Sequence, residues 1–347
     1  MSVKVQQVEL STPVFCVSDI HGHLDLLKEG LKKANFSNTD TLVVLGDMVE
    51  KGPQNLEVLR YLMHMPNAYI VQGNCEVWIL DLLEDPDMLK KYLPIRKESL
   101  FWDMIEEMNF VYEDNVEELI EKIKENYQEE LEWIKNLPVI LETDTMIFVH
   151  AGINHMELEQ NSLEDCLVYS EFEIKTPALD KYVMVGHLPA VNYSTEMPSC
   201  NPRIHVEKKV ISIDGGMGVK SDGQLNVFVI DKVKPLSFHY VSIEDTPKLC
   251  VKKAQEESKV SRSITWIDNK INILEETETQ YHIEQISSGY KMWVSKEHIF
   301  TSDDGYHVYD ITDYCLPLYE GEWVYVYKET QDAYYVKKDG VLGWYYK

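Results

Sequence analysis

With 347 residues and 44% apolar content, the chain is long enough to bury a large core and to form a small second domain beside it. Its net charge of -26, from 33 basic against 59 acidic side chains, excludes nucleic acid as a partner, because that affinity rests on clustered Lys and Arg. Six cysteines without CxxC spacing, a first ten residues with no leader-like apolar run, and no stretch of roughly 18–20 apolar residues point to a reducing, cytoplasmic setting with no membrane partner, disulfide framework or zinc ribbon.

The first elements read as β-α-β-α-β. Residues 13–18, 41–45 and 68–72 are short apolar runs, whereas 23–34 and 53–65 carry apolar residues at helical spacing. Alternation of this kind implies buried parallel strands with helices over them, and it places ligand sites beyond the carboxyl ends of the strands. Three polar runs fall at that edge: Ser18-Asp19-Ile20-His21-Gly22, Gly46-Asp47-Met48-Val49-Glu50-Lys51-Gly52 and Gly73-Asn74-Cys75-Glu76.

Residues 77–137 turn helical and acidic and read as a helical cap, with Trp78, Ile79, Leu82, Trp102, Ile105, Trp133 and Ile134 as its buried positions. The Glu-rich stretch 113–132 reads as a solvated face, with an acidic partner-binding surface as the alternative. Strands resume at 139–142, 146–149, 182–185, 209–213 and 224–230, and 235–241 closes a first domain of residues 1–245. Residues 246–277, rich in Lys and Glu, read as a linker. Residues 278–347 are dense in aromatics and end in two alternating runs around Asp339-Gly340, a hairpin signal. That tail resembles a bacterial SH3-like β-barrel, which implies a small all-β domain; its aromatics either line a groove for a peptide or glycan ligand or fill the barrel core.

Asp19, His21, Asp47 and Asn74, followed by His150 and His187, are six oxygen and nitrogen donors, each beside a small residue after an expected strand. Singly, each also reads as a helix cap, a left-handed turn residue or a satisfied core histidine. As a set they suit two divalent ions about 3.5–4 Å apart, which clamp a phosphoryl group and acidify a water. Asp47 is the candidate bridge; Asp19 and His21 face one ion, while Asn74, His150 and His187 complete the other. The mixed donor set favours Mn, Fe or Zn over Ca.

These runs, with His150-Ala151-Gly152 and Gly186-His187, resemble the GDxHG, GDxVDRG, GNHE, HAG and GH blocks of the calcineurin-like metallophosphoesterases. The closer likeness is to the branch of the Ser/Thr phosphatases and the phage lambda phosphatase, over residues 12–232. The resemblance implies a four-layer α/β/β/α sandwich with a helical insertion. It also implies two divalent ions, one held by Asp19, His21 and Asp47 and the other by Asp47, Asn74, His150 and His187, and attack on phosphorus by a metal-bound hydroxide. Asp214-Gly215-Gly216 resembles the family segment that packs under the site.

Three positions depart from the pattern. Cys75 stands where the family has its proton-donating histidine, and Glu50 where it has the aspartate that orients it. Cys75 is either a weak acid or a packing residue, and Glu50 could reach the leaving group itself. Lys51 replaces the phosphate-gripping arginine, keeping the charge and losing the bidentate fork. Arg203, one of four arginines, or Lys220 could take over a second phosphate contact beside Lys51 and Asn74, while His23 and His155 are either replacement acids or polar loop residues. The expected activity is hydrolysis of phosphomonoesters, protein-borne or small. The alternatives are hydrolysis of nucleotide or diadenosine polyphosphate anhydrides, and a degenerate metal- or phosphate-binding scaffold.

Overall fold

The structure, a computed structural model, describes residues 3–347; Met1 and Ser2, which begin the stretch read as lacking a leader, lie outside the described residues. The chain divides into two compact units, one of residues 3–188 and Pro202–Glu244, the other of Pro189–Asn201 and Asp245–Lys347.

In the first unit, strands β1 (Val5–Gln7), β5 (Ile140–Glu142), β6 (Met146–Val149), β7 (Tyr182–Val185), β8 (Arg203–His205) and β9 (Val210–Ser212) form one sheet in the order β1-β5-β6-β7-β9-β8. A second sheet runs β11-β10-β2-β3-β4, from β2 (Val14–Val17), β3 (Thr41–Val44), β4 (Ala68–Ile70), β10 (Leu225–Lys232) and β11 (Ser237–Ile243). Strands β2, β3 and β4 pair in parallel, as do β6, β7 and β9, so their carboxyl ends share an edge within each sheet.

The period of two in a strand decides where each side chain packs. Val14, Cys16, Val43 and Leu45 join Leu141, Met146, Phe148, Met184 and Ile211 in a core between the sheets. Their neighbours Phe15, Val17, Leu42 and Val44 face helices α1 (Leu24–Lys33) and α2 (Asn55–Met63), packing with Leu27, Leu31, Leu56 and Leu59. On the far face of the other sheet, Ile147, Val149, Val183 and Val185 pack with Cys166, Leu167 and Phe172 from α8 (Leu163–Val168) and α9 (Phe172–Lys175).

Five helices follow β4: α3 (Asn74–Leu82), α4 (Pro86–Tyr92), α5 (Leu100–Glu107), α6 (Val116–Asn126) and α7 (Gln128–Asn136). Ile79, Leu82, Ile105 and Ile134 are buried as expected, and Trp102 and Trp133 are half-buried. Trp78 is not buried; it is 51% exposed, because Cys75, Ile79 and Leu82 take the inward face of α3. In the Glu-rich stretch Glu117, Glu118, Glu121, Glu125, Glu129 and Glu132 are exposed, while Glu130 turns inward to accept from Arg60 Nε at 2.8 Å.

The second unit differs from the expected linker and single barrel. Residues 246–277 carry β12 (Lys248–Cys250), β13 (Ser263–Ile264) and β14 (Lys270–Glu276), and the tail belongs to two sheets, each with its own core. One runs β16-β15-β14-β18-β17, adding β15 (Gln280–Gln285), β16 (Lys291–Ser295), β17 (Ile299–Ser302) and β18 (Gly305–Val308), around Ile271, Ile283, Met292, Val294 and Val308. After β19 (Ile311–Thr312), which pairs with β13, the other runs β12-β20-β21-β22, adding β20 (Trp323–Glu329), β21 (Ala333–Lys338) and β22 (Val341–Tyr346). Charge concealed β14: Ile271 points inward while Glu275 and Glu276 lie exposed, so composition reads as linker where the pairing makes sheet. The Asp339-Gly340 hairpin has φ of 51° and 76°, as a two-residue turn of the twist-matching kind requires.

All six cysteines are free, and no helix among the described residues is long and apolar enough to cross a membrane. Phe148→Ala, which empties the middle of the inter-sheet core, is expected to cost about 3–5 kcal/mol, read as a lower urea midpoint at unchanged slope.

Candidate metal centre

Five of the six expected donors stand on loops that leave parallel strands at their carboxyl ends, Asn74 opens α3 just after β4, and the backbone there is unusual. Asp19, His21, Asp47 and His187 have φ of 51°, 46°, 48° and 65°, a region side chains with a Cβ seldom adopt. Such strain persists only where neighbouring structure enforces it. Here Asp19, His21 and Gly22 donate their N–H groups to the carbonyls of Gly46, Asp47 and Met48 at 3.1, 3.0 and 2.9 Å, continuing the β2–β3 pairing past the strands. Gly46 must be glycine, since a Cβ would lie 2.4 Å from Gly73 N and separate the loops after β3 and β4. Gly186 likewise admits Asp19: its Cβ would meet Oδ2 at 2.4 Å.

The histidines are oriented by their outer nitrogens. His21 Nδ1 lies 3.1 Å from the Val49 carbonyl and His150 Nδ1 2.6 Å from that of Leu45, so each Nδ1–H donates outward and each Nε2 lone pair faces inward. His21 Nε2 is then 3.7 Å from Asp47 Oδ2 and 4.0 Å from Asp19 Oδ1, while His150 Nε2 is 3.5 Å from Asp47 Oδ1. The two oxygens of Asp47 therefore face different histidines. One terminal atom of the Asn74 amide lies 3.0 Å from both His150 Nε2 and His187 Nδ1, and the His150 and His187 rings are 5.0 Å apart. His187 also donates its backbone N–H to Asp19 Oδ2 at 3.0 Å. Two overlapping groups have potential ligand atoms within 4.8 Å of one another: Asp19, Asp47 and His150, and His21, Asp47 and Cys75.

Electrostatics test whether this set suits cations. Burial pushes Asp19 up, and Asp47 pushes it further. Burial also works to raise Asp47, but His150 and His21 prevail and hold its carboxyl below the usual range. Burial lowers His21 to about 4 and His187 to about 3, leaving neutral imidazoles, the form that ligates metal. Asp214 is raised by burial and by Asp19, and among the described residues its Oδ2 has no hydrogen-bond partner. Buried carboxylates in this number need positive charge nearby, and the donors present fit two divalent ions.

The structure also redistributes the roles expected of the departing residues. Cys75 is held by Asp47, with its N–H at 2.9 Å from Oδ1 and its Sγ at 3.1 Å from Oδ2. Glu50 does not orient Cys75; it accepts from the Tyr92 hydroxyl and from the Leu100 N–H at 3.0 Å, both in the helical segment. Lys51 points inward, with Nζ 3.1 Å from His21 Nε2. Arg203 donates through its Nε and a terminal nitrogen to the buried Glu173 at 3.0 and 2.8 Å. Lys220 lies in the turn after Gly216, His23 Nδ1 is bound to the Ile20 carbonyl, and His155 is exposed.

Sequence reasoning missed two residues. Glu76, fully buried, accepts from the N–H groups of Asp47 at 2.9 Å, Met48 at 2.9 Å and Gly73 at 2.8 Å, and so locks two loops together. Its signal was its place at the third helical position of α3, where a glutamate closes a capping box. Arg96, whose charge acts on Glu50 and Tyr92, carried no signal beyond being one of four arginines. Glu76→Gln is expected to weaken Mn2+ binding about 10–100-fold by calorimetry, as loss of an outer-shell partner does. Chelation of the unmutated protein should lower Tm and Mn2+ should restore it.

The family of calcineurin-like phosphoesterases matches residues 12–213. A symmetrical bis(5'-nucleosyl)-tetraphosphatase of Vibrio parahaemolyticus is 32% identical over 142 residues, 40% of this chain and 44% of that protein. Serine/threonine-protein phosphatase 2 of Salmonella typhimurium is 41% identical over 80 residues, 23% of this chain and 36% of that protein. The chain thus spans less than half the length of these curated relatives. The solved cold-active protein-tyrosine phosphatase of a psychrophile Shewanella species covers 65% of this chain and 78% of its own, with 16% identity and a TM-score of 0.41. With that family match across more than half its length and the blocks at the carboxyl ends of β2, β3, β4, β6 and β7, the chain belongs to the calcineurin-like phosphoesterases.

Proposed function

We propose that the chain is a dinuclear metal-dependent phosphoesterase, of the protein Ser/Thr phosphatase kind, that hydrolyses phosphomonoesters. The observation that carries this reading is the buried Asp47 carboxylate with His21 on one oxygen and His150 on the other. Asp19, His21 and Asp47 would hold one ion, and Asp47, Asn74, His150 and His187 the second, with Mn, Fe or Zn as the ions that fit nitrogen and oxygen donors together. When bound, such a pair activates a water and offsets charge on the phosphoryl oxygens. The unit reads as a four-layer α/β/β/α sandwich; the division of its apolar residues among three cores supports this. The free cysteines support a reducing, cytoplasmic location.

Lys51 brings a point charge to the phosphate from the His21 side. Asn74 offers an amide at the other side, and Glu76 keeps both loops in register through Asp47 and Gly73. Burial, then Asp47, pushes the Cys75 thiol well up, and its Sγ lies 3.1 Å from Asp47 Oδ2. A thiol so held is a poor proton donor to a departing alkoxide, and the reading therefore favours leaving groups that depart as stable anions. Phosphoanhydrides share that property, which keeps a nucleotide or diadenosine polyphosphate substrate as the second reading.

Purified protein loaded with Mn2+ is expected to hydrolyse p-nitrophenyl phosphate, and Asp47→Asn to abolish that turnover. Cys75→His should raise turnover of alkyl phosphates by roughly 100-fold or more if the absent acid is limiting. Faster turnover of diadenosine tetraphosphate would favour the second reading. No turnover of any phosphate despite two bound ions would leave a metal-binding scaffold.

A further inference from the structure

The exposed Trp78 has a use that the metal centre does not absorb. A cavity of about 390 Å³ lies between α3, α4 and α8, with Asn74 in its lining. It adjoins the centre directly: Leu167 lines it, and the Leu167 carbonyl is 3.2 Å from the same Asn74 amide that reaches His150 and His187. Trp78 follows Asn74 by four residues, one helical turn, so both present to this side of α3.

The walls are apolar and wet. Trp78, Met88 and Val168 are 51%, 47% and 43% exposed, and they line the cavity together with Val77 and Leu163. Such a cluster on a chain of net charge -26 is a site in want of an apolar occupant. Trp78 meets Tyr92 at 6.1 Å between centroids, tilted by 43°, so the ring stays positioned by the residue that also binds Glu50. Cys75, at the family's leaving-group position, is three residues before Trp78 on the same helix.

Charge chooses among aromatic occupants. Asp81, Asp85 and Glu164 line the cavity, and none of its described lining residues is basic. A nucleoside could stack there, but the remaining phosphates of a polyphosphate chain would meet those carboxylates. A cationic neighbour is drawn by them.

We propose that this cavity is a leaving-group subsite for the aromatic ring of a phosphotyrosyl residue in a peptide with Lys or Arg beside it. The proposal rests on the phosphoesterase reading above. In the step it serves, water supplies the oxygen of the new P–O bond and the P–O(aryl) bond breaks. The phenolate, a weaker base than an alkoxide, takes its proton from solvent, so the missing histidine costs least there.

The test uses the full chain loaded with Mn2+ and two monoesters of similar leaving-group acidity, phenyl phosphate and hexafluoroisopropyl phosphate. Trp78→Ala, and independently Val168→Asp on the opposite wall, should raise KM for the phenyl ester about 3–10-fold relative to the fluoroalkyl ester. Trp78→Phe should restore most of that ratio. Phosphotyrosyl peptides flanked by Lys should be preferred to those flanked by Glu, and Asp81→Lys should reverse the order. Equal effects on both esters, no effect on either, or a lower KM for diadenosine tetraphosphate than for the basic peptide would overturn this subsite alone. Wild-type turnover of neither ester would overturn the phosphoesterase reading as well.

Discussion

Asp47 keeps a carboxylate only 2% exposed, with His21 Nε2 at 3.7 Å from one oxygen and His150 Nε2 at 3.5 Å from the other, and the surrounding loops are shaped by holding that charge in place. Isolated, such a group would be strongly disfavoured away from water. Its carboxyl is held low by His150, His21 and Lys51 and by the Cys75 N–H, and it is kept in position by Glu76, whose carboxylate grips the backbone of the Asp47 loop and of its own. Left-handed φ values at four of the six donors are the conformational cost of that convergence, and the parallel pairing of β2 with β3 supplies the rigidity that sustains it.

The same arrangement explains how family positions change without dismantling the centre. Cys75 takes the space beside Asp47 and gives it two hydrogen-bond contacts, so the bridge candidate stays supported while proton donation is weakened. Glu50, released from orienting a histidine, ties the loop after β3 to Tyr92 and Leu100 of the helical segment, and Lys51 adds a backbone bond to the Glu98 carbonyl. The helical segment is thereby coupled to the site, and it carries Trp78 and Arg96 to positions that family motifs do not describe.

The six expected donors could be named from sequence because each has a local signature: an apolar run, a small residue and a polar side chain, at the end where parallel strands present their loops. Glu76 was half legible, as a capping residue whose second task, holding Asp47, depends on a partner 29 residues away. The neighbours of Arg203 and Glu50 were not legible, because a charged side chain has several partners within reach, and only packing decides that Glu173 meets one and Tyr92 the other. Trp78 was read as a buried position of the helical segment, whereas the turn of α3 gives the inward side to Cys75, Ile79 and Leu82.

Composition, strand periodicity and motif order determined, by themselves, an α/β unit with polar runs just past the ends of its strands and an all-β tail, since each is written in short-range patterns of hydrophobicity and turn chemistry. Tertiary structure alone decided which charges meet, that β14 joins a sheet despite its exposed glutamates, and that an apolar cavity has Asn74 in its lining. The physical reason is range. Burial and pairing bring together residues tens to hundreds of positions apart, and a charged or aromatic side chain takes its role from those neighbours rather than from its own stretch of chain.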